Sequence, residues 1–124
     1  MVELNCETDF VAKTDDFLAF ARDVAMHIAA SNPVSLSRDD VPADIVERER
    51  QIYVQQAIES GKPENIAEKM VAGKIDRFLS EICLLEQQFV KNPEKSIQDM
   101  LTELVGKMGE NVSIKRFARF QVGV

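Results

Sequence analysis

"VELNCETDFVAKTDDF" at residues 2–17 changes its period in the middle. Val2 and Leu4 alternate with Glu3 and Asn5, the two-residue repeat of a half-buried strand. Further on, Phe17, Leu18, Phe20, Ala21, Val24, Ala25 and Ile28 fall at helical spacing and make one broad apolar stripe. Thr14 is placed to cap that helix, and Asp15 and Asp16 set negative charge against the positive end of its dipole. Between strand and helix lie a lone Cys6, the acids Glu7 and Asp9, and the apolar pair Phe10 and Val11. A strand passing directly into an amphipathic helix is the first sign of a mixed architecture.

The rest of the chain continues the pattern. Ser31-Asn32-Pro33 ends the first helix, because the residue before a proline is pushed out of helical geometry. "SLSRDDVP" (35–42) is a polar connection, and Pro42 suits the first turn of a helix running to about Ser60. Its middle, "VERERQIY" (46–53), is strongly charged, with Ile45, Ile52 and Ile58 as sparse apolar contacts, so it is expected to be exposed along much of its length. Gly61 serves a left-handed position after that helix, and Pro63 starts the next. That helix carries Ile66, Ala67, Met70, Val71, Ile75, Phe78, Leu79 and Ile82; Gly73 inside it is expected to mark a close packing point. "CLLEQQFVKNP" (83–93) loses the helical period and reads as a short extended piece ending in a turn. Ser96 with Asp99 forms a capping box for a helix that Gly109 ends. The tail, "NVSIKRFARFQV" (111–122), reads as one long strand with Val112, Ile114, Ala118, Phe120 and Val122 on its apolar side. Arg116 breaks that apolar face and Phe117 breaks the polar one. The predicted fold is α+β: a small antiparallel β-sheet with several helices packed on one face.

Totals narrow the function classes. The 124 residues are 45% hydrophobic and 29% charged, enough for one domain with its own core. A net charge of −6 argues against binding to a nucleic-acid backbone. The longest uncharged stretch, "VAMHIAASNPVSLS" (24–37), is too short and too broken to span a bilayer. Two cysteines without paired spacing point to reduced thiols in a cytosolic or organelle-matrix setting. The strand pattern starts at the first residues, so preceding sequence is expected to be missing.

Enzyme chemistry finds little support. Cys6 has no histidine near it in sequence, and a half-buried strand cysteine is the simpler reading, although folding could still bring His27 to it. Glu7, Asp9, Asp15 and Asp16 lack the glycine and regular oxygen spacing of a calcium loop, and no glycine-rich phosphate loop occurs, so neither metal nor cofactor is expected. His27 reads as a solvent-facing or capping residue near a helix end. Lys115, Arg116 and Arg119 read as salt-bridge partners between strands or toward a helix, with Arg116 at an interface if it points from the apolar face. Phe10 and Val11 allow two readings: a hydrophobic staple folded onto its own helix, or an apolar tip held out for a partner's pocket.

"VELNCETDFVAKTDDF" resembles the signature of the elongation factor Ts family of bacteria and organelles. "AMHIAASNP" (25–33), "ERERQIYVQQAIESGKPENIAEKMVAGKIDRF" (47–78), "LLEQQFVKNP" (84–93) and "GENVSIKRFARFQVG" (109–123) match it in order over essentially the whole chain. The resemblance implies helices on a small antiparallel sheet and, as activity, non-covalent guanine-nucleotide exchange on elongation factor Tu. It implies roles at Thr8, Asp9, Phe10 and Val11, the aspartate and ring entering the partner's G domain, the ring wedged between two helices there. His27 is placed near further partner contacts. By the same resemblance residues 1–124 are one core (dimerisation) domain, lacking the family's small three-helix N-terminal domain. Short forms act as homodimers, which would make Arg116, Phe117 and Arg119 dimer-facing. The implied location is the bacterial cytoplasm, or a plastid or mitochondrial matrix. The alternative is a structural dimerisation module with little exchange activity of its own.

Overall fold

A computed structural model describes residues 1–123 of the chain. Strand β1 (Val2–Cys6) leads through a one-turn helix α1 (Asp9–Ala12) into the long helix α2 (Asp15–Ser31). Helices α3 (Ala43–Glu59) and α4 (Glu64–Ile82) form an antiparallel pair. A hairpin of β2 (Gln88–Phe89) and β3 (Asn92–Ser96) precedes α5 (Ile97–Met108), and β4 (Val112–Phe117) returns to pair antiparallel with β1. The architecture is α+β, as the sequence predicts. The extended piece expected over 83–93 proves to be a short 3-10 turn at Leu84–Glu86 followed by this second two-stranded sheet.

Local signals set most boundaries. The Thr14 hydroxyl accepts the Phe17 amide at 3.2 Å, satisfying one of the donors that a helix start leaves free. Asn32 ends α2 in the left-handed conformation (φ 46°), and its amide reaches Ile28 O. Ser96 and Asp99 complete the capping box, and Gly109 ends α5 at φ 72°.

Phe17, Phe20, Val24 and Ile28 of α2 pack with Ile97, Leu101 and Leu104 of α5 and with Val112 and Ile114 of β4. Each such side chain contributes about 1.5–3 kcal/mol when fully removed from water. The α3–α4 pair has a separate small core of Ala57, Val71 and Ile75, and α3 is otherwise largely exposed, as expected. Arg38 fastens this pair to the main body: it donates to both Glu86 carboxylate oxygens (2.8 and 2.7 Å) and to Asp76 Oδ1 (2.7 Å).

Three expectations need correction. A Cβ added at Gly73 would meet nothing within 4 Å, so that glycine marks no close approach. The closing strand ends at Phe117, and the Ala118 amide beyond it reaches Met1 O. Phe120 and Val122 lie exposed, at 89% and 101%. Finally, the breaks at Arg116 and Phe117 come from a bulge. Glu3 faces Arg116 while Leu4 faces Ile114, which leaves Lys115 as an extra residue. Beyond it the faces swap, so Phe117 turns to the core beside Val2 and Leu4, and Arg116 turns outward to Glu3 at 2.8 Å. Of the basic set, Arg116 makes the inter-strand ion pair, with Glu3.

Candidate partner-binding turn

The turn between β1 and α2 is bonded at almost every backbone position. The Thr8 hydroxyl accepts the Val11 amide (3.4 Å) and donates to Glu110 Oε2 (2.9 Å). Glu110 Oε1 accepts the amides of Glu7 and Thr8, each at 3.0 Å. The Cys6 thiol donates to Thr8 O at 3.2 Å, and the Thr14 hydroxyl donates to Val11 O at 2.7 Å. Cys6 is thus the half-buried strand residue that its position suggested.

Side chains on this frame divide sharply. Val11 is 8% exposed and joins the main core, whereas Phe10 is 81% exposed. A staple would have folded Phe10 onto its own helix; that reading fails, and Val11 makes the inward contact instead. Asp9 makes only a 3.6 Å ion pair with Lys13, both side chains at least three-quarters exposed, worth little in water. An aromatic ring and a carboxylate therefore stand side by side on a tip whose backbone is held by hydrogen bonds. Among the described residues no group of three His, Cys, Asp or Glu is placed to hold a metal. Among the described residues no helix is long and apolar enough to cross a membrane.

His27 is not part of this surface, and the solvent-facing expectation is overturned. It is fully buried. The Val90 amide donates to its Nδ1 at 3.3 Å, which places the ring hydrogen on Nε2, facing Gln87 Oε1 at 2.9 Å. Gln87 in turn donates to Glu81 O at 2.8 Å. The network joins α2, the end of α4 and the β2–β3 hairpin, so His27 presents no surface of its own here. The spacing Phe20, Val24, His27, Ile28 already puts His27 on the apolar stripe.

The three residues assigned to a dimer face lie at the other end of the β1–β4 ribbon, since Cys6 pairs with Val112 and Val2 with Phe117. Arg119 donates to Ala29 O near the end of α2 (3.3 and 3.2 Å), where a cation complements the helix dipole. Met1, Val2, Leu4, Phe117 and Ala118 line an open cleft of about 520 Å³ there, flanked by the Glu3–Arg116 pair. Sequence reasoning missed Glu110, whose carboxylate lies over 100 residues from the turn that it holds.

A family model described as Elongation factor TS matches residues 19–124. The chain is 65% identical over 123 residues to the elongation factor Ts of Desulfotalea psychrophila, covering 99% of this chain and 63% of that protein. Identity to the elongation factor Ts of Desulfosudis oleivorans is 62%, with 99% and 62% covered, and to that of Geobacter sulfurreducens 55%, with 99% and 57% covered. The chain thus spans about three-fifths of the length of these curated relatives.

Proposed function

The chain belongs to the elongation factor Ts family, and from that premise we propose that it promotes release of GDP from elongation factor Tu by inserting its Thr8–Val11 turn into that partner's G domain. The observation that carries this reading is the exposed Phe10 ring on a turn whose backbone is tied down on both sides. A pre-organised aromatic loses little conformational freedom on docking, which is what makes such residues interface hot spots. The ring wedges between two helices of the partner, and packed helices respond by shifting rather than compressing. That shift disturbs the magnesium- and phosphate-binding region. Tighter binding to the nucleotide-free state must weaken nucleotide by the same factor, so no covalent chemistry is required. Asp9 supplies the polar contact beside the ring, and Thr8 and Val11 hold the turn.

On the same reading residues 1–124 form one core domain that acts as a homodimer in the bacterial cytoplasm. The open cleft at the Arg116–Phe117 end supports a second copy there, away from the turn, so both partners can bind at once. Release of labelled GDP from elongation factor Tu is the direct test: Phe10→Ala should abolish most stimulation while the chain stays folded. A monomeric mass by light scattering at tens of micromolar would remove the dimer.

The second reading is a dimerisation module with little exchange activity, in which the cleft at the Arg116–Phe117 end is the working surface. Assaying GDP release with and without the family's N-terminal three-helix domain separates the two.

A further inference from the structure

We propose that Glu110 is a positioning residue for exchange, setting the orientation in which the turn presents Phe10; this rests on the reading of that turn as the partner-binding tip. Two features of the fold place it. Gly109, left-handed at φ 72°, turns the chain sharply out of α5, and Val112 enters the ladder opposite Cys6. Glu110 is held between these fixed points. Its two oxygens receive the Glu7 amide, the Thr8 amide and the Thr8 hydroxyl at 2.9–3.0 Å.

Those two amides lie past the last β1–β4 pair and ahead of α1, so neither ladder nor helix offers them an acceptor. Hydrogen bonds to an ionised carboxylate are roughly twice as strong as neutral ones. The same Thr8 hydroxyl also accepts the Val11 amide, so one chain of bonds runs from Glu110 through Thr8 into α1, the turn that carries Phe10.

Glu7 and Thr8 are exposed, so water can replace the carboxylate if it is removed. What is then lost is the fixed orientation of the tip. If only a fraction of molecules holds the competent orientation, apparent affinity falls by that fraction, while the complex once formed is unchanged. Glu110→Ala should therefore raise the concentration of this chain needed for half-maximal GDP release by about tenfold. The saturating rate should stay within about twofold of the original. Glu110→Gln, which keeps an acceptor for the two amides, should recover most of the difference. Amide exchange at Glu7 and Thr8 should accelerate in Glu110→Ala without a matching rise in the α5 core.

Phe10→Ala, run alongside, should lower the saturating rate itself. An unchanged half-saturation in Glu110→Ala, with Phe10→Ala defective, overturns the positioning role alone. A loss of saturating rate together with a lower unfolding midpoint in both Glu110 variants makes Glu110 structural and overturns it too. A fully active Phe10→Ala sinks the reading of the tip itself.

Discussion

Phe10 and Val11 are consecutive residues of α1 and lie in opposite environments, the ring 81% exposed and the valine 8% exposed. Consecutive helical positions are about 100° apart, so one turn can anchor itself with one side chain and show the next to solvent. Thr8 and Thr14 frame this turn from either side, one hydroxyl on the Val11 amide and the other on its carbonyl.

That division separates folding from binding at adjacent positions. Val11→Ala removes buried methyl groups and should cost about 1–3 kcal/mol of stability. Phe10→Ala touches no core and should stay within about 0.5 kcal/mol, yet lower exchange by about tenfold or more. Denaturant unfolding and GDP release, measured on both variants, check the pair. A Phe10→Ala chain that unfolds early would return the ring to the core.

Much of this fold was legible because its signals are local. Thr14, the Ser96–Asp99 box, Asn32 and Gly109 each specify a helix end within four residues of themselves. Gly73 apart, the misses depend on something distant. Arg116 and Phe117 looked like departures from alternation, and nothing in a single strand distinguishes that from a shifted register across a bulge. β4 ends at Phe117 although the apolar alternation runs on to Val122, because alternation alone does not supply a strand to pair with. His27 has helical spacing that fits the core, but its acceptability there rests on Gln87, 60 residues away. Within the candidate site, Phe10 could be picked out from its polar frame, whereas Glu110 could not.

His27→Ala tests the buried network. Removing the ring leaves a cavity, the Gln87 carboxamide oxygen without its donor and the Val90 amide without its acceptor. The expected loss is about 2–4 kcal/mol, combining lost packing with unsatisfied polar groups. Thermal unfolding should show it. A variant of unchanged stability with poor exchange would instead make His27 a direct partner contact and contradict its burial.

The two cysteines should differ in reactivity. Cys83 is fully buried where α4 meets the main body, and burial, followed by the nearby Glu86 carboxylate, pushes its thiol up from the ordinary range. Both access and thiolate fraction therefore oppose alkylation, while half-buried Cys6 should label first. Arg38→Met removes the ion pairs to Asp76 and Glu86 and should speed Cys83 labelling by loosening the seat of the α3–α4 pair. Mass spectrometry of a timed alkylation gives the order. Cys83 reacting first in the original chain would show that this joint opens readily.

Glu3 gives the strand pair a dependence on acidity with a definite sign. Its carboxyl is held below the ordinary range, first by the Asn5 side-chain amide and then by Arg116 across the bulge, with desolvation opposing both. A carboxyl depressed by folding contributes stability above its unfolded-state value, and that contribution is lost as pH falls through its folded one. Glu3→Gln keeps the shape and abolishes the titration. Unfolding midpoints should therefore favour the original chain near neutrality and converge with the variant as pH drops through the carboxylate range. Because Glu3 and Arg116 are both substantially exposed, the gap should also shrink in high salt. A gap that persists with unchanged size below the carboxylate range would show that the charge of Glu3 contributes nothing to the pairing of β1 with β4.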